Sequence, residues 1–495
     1  MLFSKDTLLS YFFSKAVSDD AFRYNLWFDE NAINEEEYSE VINHIKNVSR
    51  YLLLDNIADS QTIQSIIWLI SEYSHNHLEV PERVDIKAHL NFSARTEPLL
   101  HSLKEFYRDH FFHVMEVCFT GHFLLELKIN SKYLWEVIAK KLKIGNKEIV
   151  VKLWYITALL HDVGYGIDAL KSLLDFLKFF KNAPSLEKLS VQISDLIDVI
   201  SEELNNENKL EYGKIKSSAK DHGIISAHHL FALLCKISDD DPTVDLNEYK
   251  HVINAISLHN YRKNKISFNS EPLAFLLILC DTLQEWKRMQ LNYSNSPLNI
   301  ISSLLGNSIH KDDLLGPFKE MYIENIKYNQ KDDSFQLEKG KPLIFKLIYD
   351  EKINKNTGVF SLWLDASCNL QRLDYSDFPF DIAIEYITPL FRKNGKELKQ
   401  LHRLRNLKNE LHLGFLHNWM PEINNNGILT NLSRAVEYKY DENICKERLT
   451  LNLRQLTLNK AITKDISEFY KRLPEWKHYH DDKEFVGDYA KITPD

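Results

Sequence analysis

Two largely apolar stretches of this chain end on an aspartate, and that arrangement limits what the chain can become. VVKLWYITALLHDVG leads straight into His161 and Asp162, and LAFLLILC is followed at once by Asp281. Both stretches have the length and content of buried helices. An ionised carboxylate at the end of such a helix is costly to bury unless a cation or several donors satisfy it. A single histidine or aspartate in this setting is usually a satisfied core residue. Several in one region call for a common partner.

A third segment, RDHFFHVMEV, adds His113, which shares a helical stripe with Val117, and His110 three residues earlier. Half of the chain's 20 histidines fall between positions 101 and 259. Imidazole suits zinc, iron, manganese or cobalt, and a carboxylate beside it completes a ligand set for a divalent ion. The glycines after the doublet, in HDVGYG, let the backbone turn away from the helix.

Glycine and proline are scarce, 14 and 13 in 495 residues, which favours a mainly α protein. The five cysteines (Cys118, Cys235, Cys280, Cys368 and Cys445) lack any CxxC spacing and read as reduced core residues. The N-terminus lacks a basic stretch followed by a sustained apolar one, so no signal peptide is expected. The apolar runs fall far short of the roughly twenty residues that cross a bilayer. The expected setting is cytoplasmic, with no membrane partner. A net charge of −9 argues against a large nucleic-acid footprint, although one basic groove can hide inside an acidic total.

Four segments are expected along the chain. Residues 1–95 form a helical N-terminal region, and 96–330 hold the histidine-rich helical domain. A polar linker is expected at 327–342. A smaller α+β module follows at 340–420, built on the strand-like runs PLIFKLIYD, GVFSLWLDAS and FDIAIEYITP and the helix GKELKQLHRLRNLKNELHLGFLHNW. Residues 421–495 are expected to form a helical tail.

The order His, His-Asp, Asp on successive helices resembles the HD superfamily of metal-dependent phosphohydrolases, in a bacterial form with unrelated flanking regions. ALLHDVG is close to the family's doublet segment. KDHGIISAHHL resembles its His-Gly-x-x-Ser-Ala segment, and HVINAISLHN a helix bearing a further histidine. The resemblance spans about positions 100–295. It implies an HD-type helical bundle core in which His113, His161, Asp162 and Asp281 ligate one divalent ion. His222 and His259 would serve a second ion, with Asp162 bridging. The ion would be Mn, Fe, Zn, Co or Mg. Two departures stand out. Tyr165 occupies the place of the lysine that often follows the doublet, leaving Arg108, Lys220 and Arg262 as candidates to grip phosphate. His110 competes with His113 as the first ligand, with His113 preferred. For His228 and His229 a polar helix face is at least as good a reading as ligation.

The implied activity is hydrolysis of a phosphomonoester or phosphodiester, foremost of a nucleotide, by metal-activated hydroxide, with Asp162 and His222 as the catalytic pair. Two alternatives use the same domain: a metal-dependent nuclease on single-stranded RNA or DNA, and a non-catalytic nucleotide-binding scaffold. A third places a ribonuclease site on Arg405, Asn406 and His412, where an amphipathic packing helix is the stronger reading. A homo-oligomer through the C-terminal module is an allowed assembly.

Overall fold

The computed structural model describes residues 3–4, 60–103, 107–108, 110–166, 222–241, 246–260, 265–284, 290–291, 318–329, 334–349, 370, 372–389, 436–441 and 446–453. Among these, helices dominate, in keeping with a mainly α chain. They are α1 (Ser60–Glu72), α2 (Ile86–Leu103), α3 (Phe111–Leu125), α4 (Leu134–Leu142), α5 (Lys147–Leu160), α6 (His222–Asp240), α7 (Leu246–Leu258) and α8 (Pro272–Leu283). None of them is long and apolar enough to cross a membrane.

Local chemistry explains several boundaries. Asn146 caps α5, its side chain accepting from the Ile149 amide at 3.0 Å, and Glu148 sits in the first turn where the helix dipole favours a negative charge. Pro272 opens α8 at a position where no amide hydrogen is missed. Helix α8 then buries every apolar side chain from Leu273 to Cys280. At about 1.5–3 kcal/mol per large apolar side chain, this burial contributes on the order of 10 kcal/mol gross and carries the following aspartate toward the interior.

Helices α3, α5, α7 and α8 pack on one another around Trp154 and Tyr155, both fully buried. The Trp154 indole donates to the Cys118 carbonyl at 2.8 Å. Its ring also fills the space where a Cβ on Gly121 would stand, 1.9 Å from the ring carbons. Glycine is required there for the close approach of α3 and α5.

The strands are β1 (Phe3–Ser4), β2 (Tyr107–Arg108), β3 (Leu127–Ile129), β4 (Lys132–Tyr133), β5 (Ile266–Ser267), β6 (Gln290–Leu291), β7 (Phe318–Glu324), β8 (Ile326–Asn329), β9 (Ser334–Leu337), β10 (Leu343–Tyr349), β11 (Leu373–Asp374), β12 (Ile382–Pro389), β13 (Val436–Asp441) and β14 (Lys446–Asn452). Six of them form a mixed sheet in the order β1-β7-β10-β12-β14-β13, parallel only between β10 and β12. Its Phe345, Leu347, Ile384 and Ile323 belong to the same hydrophobic core as the helices. In strands β10 and β12 the alternation of the sequence also sets Lys346 opposite Glu385, and Lys346 is ion-paired with both Glu324 and Glu385.

The structure departs from the expected segmentation at three places. The stretch read as a linker contains the hairpin β8–β9, and β9 pairs in parallel with β3 directly after α3. Lys327 and Gln336 are exposed positions of this edge hairpin, which composition does not separate from a linker. The tail read as helical contains the antiparallel pair β13–β14, with Val436 opposite Leu451 and Asp441 opposite Lys446. Within the region read as helical, Phe3 and Ser4 instead pair with β7 at the sheet edge. The expected strand GVFSLWLDAS, the helix after it, and Arg405, Asn406 and His412 lie outside the described residues, as do Lys220 and Arg262. Arg108 is described by its backbone alone, in β2.

Candidate metal centre

Two glycines bring the histidine-bearing segments together. The doublet lies where α5 ends, His161 as its C-cap and Asp162 in the turn that follows. That turn closes through Tyr165 N–H to the Asp162 carbonyl at 3.0 Å. A Cβ on Gly164 would stand 2.2 Å from the His222 carbonyl oxygen, so only glycine lets the turn meet the start of α6. The contact is held by Gly164 N–H donating to Ser226 Oγ and Ser226 Oγ donating to the His222 carbonyl, both at 2.8 Å. A Cβ on Gly223 would lie 2.8 Å from both His259 Cε1 and the Ile256 carbonyl, which sets α6 against α7 in the same way.

The side chains converge on Asp162. His161 Nε2 lies 3.3 Å, His222 Nε2 3.4 Å and His259 Nε2 3.5 Å from Asp162 Oδ1. On the other oxygen, Oδ2, His113 Nε2 lies 3.9 Å away. Two groups of ligand atoms, each mutually within 4.8 Å, share this carboxylate: His113, His161 and Asp162, and Asp162, His222 and His259. All five residues are buried. Asp281 approaches from α8 and places Oδ1 2.8 Å from His113 Nε2. Its side chain retains 29% exposure against 6% for Asp162, so it stands at the rim.

These separations suit a divalent ion. With metal–ligand bonds of about 2.0–2.2 Å, neighbouring ligands stand about 3.0 Å apart in an octahedron and about 3.4 Å apart in a tetrahedron. The contacts of His161, His222 and His259 with Asp162 Oδ1, at 3.3, 3.4 and 3.5 Å, lie close to the tetrahedral separation, that of His113 with Oδ2 at 3.9 Å lies beyond it, and all are long for direct hydrogen bonds. His113 Nε2 and His161 Nε2 are buried and make no aligned hydrogen bond. Buried imidazole nitrogens aimed at a shared point without bonding one another are a ligand arrangement.

The far side of each ring is tied down. His161 Nδ1 donates to the Ala158 carbonyl at 2.7 Å, and His259 Nδ1 donates to the Ile256 carbonyl. His113 Nδ1 donates to Gln284 Oε1, while Gln284 Nε2 donates to the Glu116 carboxylate. The carboxylate fixes the orientation of the amide, and the amide fixes the tautomer of the imidazole. Each of the three histidines therefore has Nδ1 occupied and Nε2 turned toward the centre, as metal-binding histidines do. His222 is held differently, its ring stacked on Tyr165 with centroids 3.8 Å apart. His110 lies against the same tyrosine at 4.1 Å.

Burial pushes the His161 imidazole down to about 4, so it is neutral at physiological pH. Burial alone would raise the Asp162 carboxyl, but the surrounding histidines, His161 first, outweigh it and hold it well below the usual carboxylate range. Asp281 behaves alike, with burial opposed mainly by hydrogen bonding to His113, and is also held low. Burial lowers the His259 imidazole, but its contact with Asp162 prevails and raises it. The centre therefore combines ionised carboxylates with a neutral imidazole, His161, that offers a lone pair.

Of the six ligands expected from sequence, five lie in the two groups, and Asp281 joins through His113. Between the two candidates for first ligand, His113 points to the centre and His110 to Tyr165. His229 instead meets His89, Nε2 to Nε2, at 2.9 Å, and His228 belongs to neither group. Three supporting residues escaped sequence reading: Glu116, Gln284 and Arg372. Glu116 stands three residues after His113 and Gln284 three after Asp281, a helical spacing that places each beside its neighbour. Arg372 donates to the His259 carbonyl from 113 residues away, a distance at which sequence carries no signal.

Comparison of the chain with family models, with curated proteins and with solved structures gives no match, so no relative assigns a role to any of these residues.

Proposed function

We propose that the chain is a metal-dependent phosphohydrolase of the HD type, acting on a phosphomonoester or phosphodiester, foremost that of a nucleotide. The observation that carries this reading is the set of buried imidazoles turned Nε2-inward around one shared, ionised carboxylate. His113, His161, Asp162 and Asp281 would hold one divalent ion, and Asp162, His222 and His259 a second. Such ions supply hydroxide near neutral pH and positive charge where phosphoryl oxygens gain negative charge.

The protein's own part is to orient and to keep water out. Asp162 offers both oxygens to the centre, Oδ1 toward three imidazoles and Oδ2 toward His113. Gln284 and Glu116 keep His113 in the tautomer that ligates. His222 cannot both ligate and deliver a proton through Nε2. The 3.2 Å separation of its Nε2 from that of His259 favours the ligand role. The half-buried Tyr165, where the family's lysine often stands, stacks on His222 and steadies that ring.

The test is hydrolysis of a panel of nucleotides, cyclic dinucleotides and single-stranded nucleic acids by protein stripped of metal and reloaded with Mn²⁺, Mg²⁺, Co²⁺ or Zn²⁺. Metal-dependent release of phosphate or nucleotide is expected, abolished in Asp162→Ala and retained in Arg405→Ala. Cleavage of nucleic acid alone would replace the nucleotide reading with the nuclease one. Activity lost in Arg405→Ala but kept in Asp162→Ala would move catalysis out of this centre.

A further inference from the structure

The stretch from Arg372 to Pro389 spans two parts of the molecule. At its start, β11 pairs in parallel with β5, in the register Leu373 to Ile266 and Asp374 to Ser267, and the Ile266 amide donates to the Arg372 carbonyl at 2.8 Å. Tyr375 and Phe378 then pack on Phe275 of α8, with ring centroids 5.0 Å apart in both cases, and Phe378 meets Phe268 at 4.9 Å. At its end the stretch becomes β12, an interior strand of the six-stranded sheet between β10 and β14. The segment that opens on Arg372 is thus anchored in the sheet and inserted among the helices that carry Asp281 and His259.

Arg372 itself is buried, and its Nη2 donates to the His259 carbonyl. Helix α7 ends at Leu258, so this carbonyl is among those a helix leaves without an internal partner. A guanidinium there satisfies the carbonyl and places a positive charge at the negative end of the helix dipole. The backbone of His259 is thereby gripped from both sides: its amide donates to the Ala255 carbonyl at 3.1 Å, and its carbonyl accepts from Arg372. Its ring is fixed by the Ile256 carbonyl, so the direction of Nε2 follows from where this helix end is held. Among the described residues, the Nδ1 atoms of His113 and His161 bond Gln284 and Ala158 instead, and no sheet residue bonds them.

We propose that Arg372 is a positioning residue for His259, by which the sheet region holds the second half of the metal centre in place. The proposal rests on the metal-binding reading of that centre. It makes the two halves unequal: Arg372 bonds the backbone of a ligand in the His222–His259 half, whereas its segment reaches the other half only by packing on α8, the helix of Asp281.

Calorimetric titration of the metal-stripped full chain with Mn²⁺ tests this, with thermal melting of each variant alongside. The wild type is expected to take up two ions. Arg372→Met should keep the first affinity and weaken the second about 10–100-fold, as loss of a ligand's outer support does. Arg372→Lys, which keeps one charged donor, should recover part of the second affinity. Phe378→Leu should lower the melting temperature while leaving the ratio of the two affinities unchanged, which separates positioning from general stability. Wild-type affinities in Arg372→Met, or both affinities weakened by one factor, overturn the proposal while the metal reading stands. A wild type that takes up no metal overturns the metal reading and this proposal with it.

Discussion

The two halves of the centre share Asp162 and little else. On one side, His113 and His161 are locked by partners that are buried and close by: the Ala158 carbonyl within the same helix, and the Gln284 amide backed by Glu116. On the other, His222 rests on the ring of Tyr165, and His259 depends on the Arg372 grip. The first half is built into the helix bundle, and the second is assembled where a turn, two helix ends and a distant segment meet. That difference predicts a tight, hard-to-disturb ion beside His113 and His161 and a more easily lost one beside His222 and His259.

Removing what the halves share should have the largest effect. Asp162→Ala is expected to abolish uptake of both ions and reduce hydrolysis by several orders of magnitude, measured by metal analysis and phosphate release. Next is Gly164→Ala. Its Cβ would run into the His222 carbonyl 2.2 Å away, and backbone cannot yield as a flexible side chain does. A loss of about 1–3 kcal/mol in stability is expected, as for other overpacked sites. The second ion should weaken more than the first, which denaturant melts and metal titration can read together.

Gln284→Leu tests the opposite half. It cuts the link between His113 and Glu116, and the first affinity should fall about tenfold to a hundredfold while the second stays. Equal loss at both ions would erase the asymmetry. A pH dependence of the chelator-treated protein probes the His161 side of the comparison without metal. His161 has a folded value near 4, below the about 6.5 of an unfolded histidine, so its contribution is complete above pH 6.5 and is lost as pH falls toward 4. The loss is on the order of 3 kcal/mol. The raised His259 acts in the other direction and in another window, its contribution being complete below pH 6.5 and lost as pH rises. Denaturant midpoints between pH 7 and 4 should therefore fall in the wild type and fall less in His161→Phe.

The candidate ligands were legible by two routes. A histidine or aspartate at the end of an apolar helix stands out because its burial is costly, as His113, His161, Asp162 and Asp281 did, whereas His222 and His259 came with the resemblance of their segments to the HD superfamily. The strands Leu343–Tyr349 and Ile382–Pro389 were legible through alternation of apolar positions. What stayed hidden depends on partners far along the chain. The hairpin at 326–337 is polar on its exposed side and reads as a linker until its pairing with β3 is known. The strands at 436–441 and 446–452 carry many charges, a composition that suits a solvated helix equally well. Arg372 is one arginine among many until its partner, the His259 carbonyl, is seen. Local periodicity reports burial, and pairing across a hundred residues leaves no local trace.

The central claim is that Asp162 joins two ion sites of unequal support. Anomalous diffraction from crystals of the full chain grown with Mn²⁺ measures this directly. The account predicts one strong peak among His113, His161, Asp162 and Asp281, and a second, weaker one among Asp162, His222 and His259, roughly 3.5–4 Å apart. Manganese elsewhere on the molecule, with the Asp162 cluster empty in crystals that diffract well enough to show it, would contradict the account.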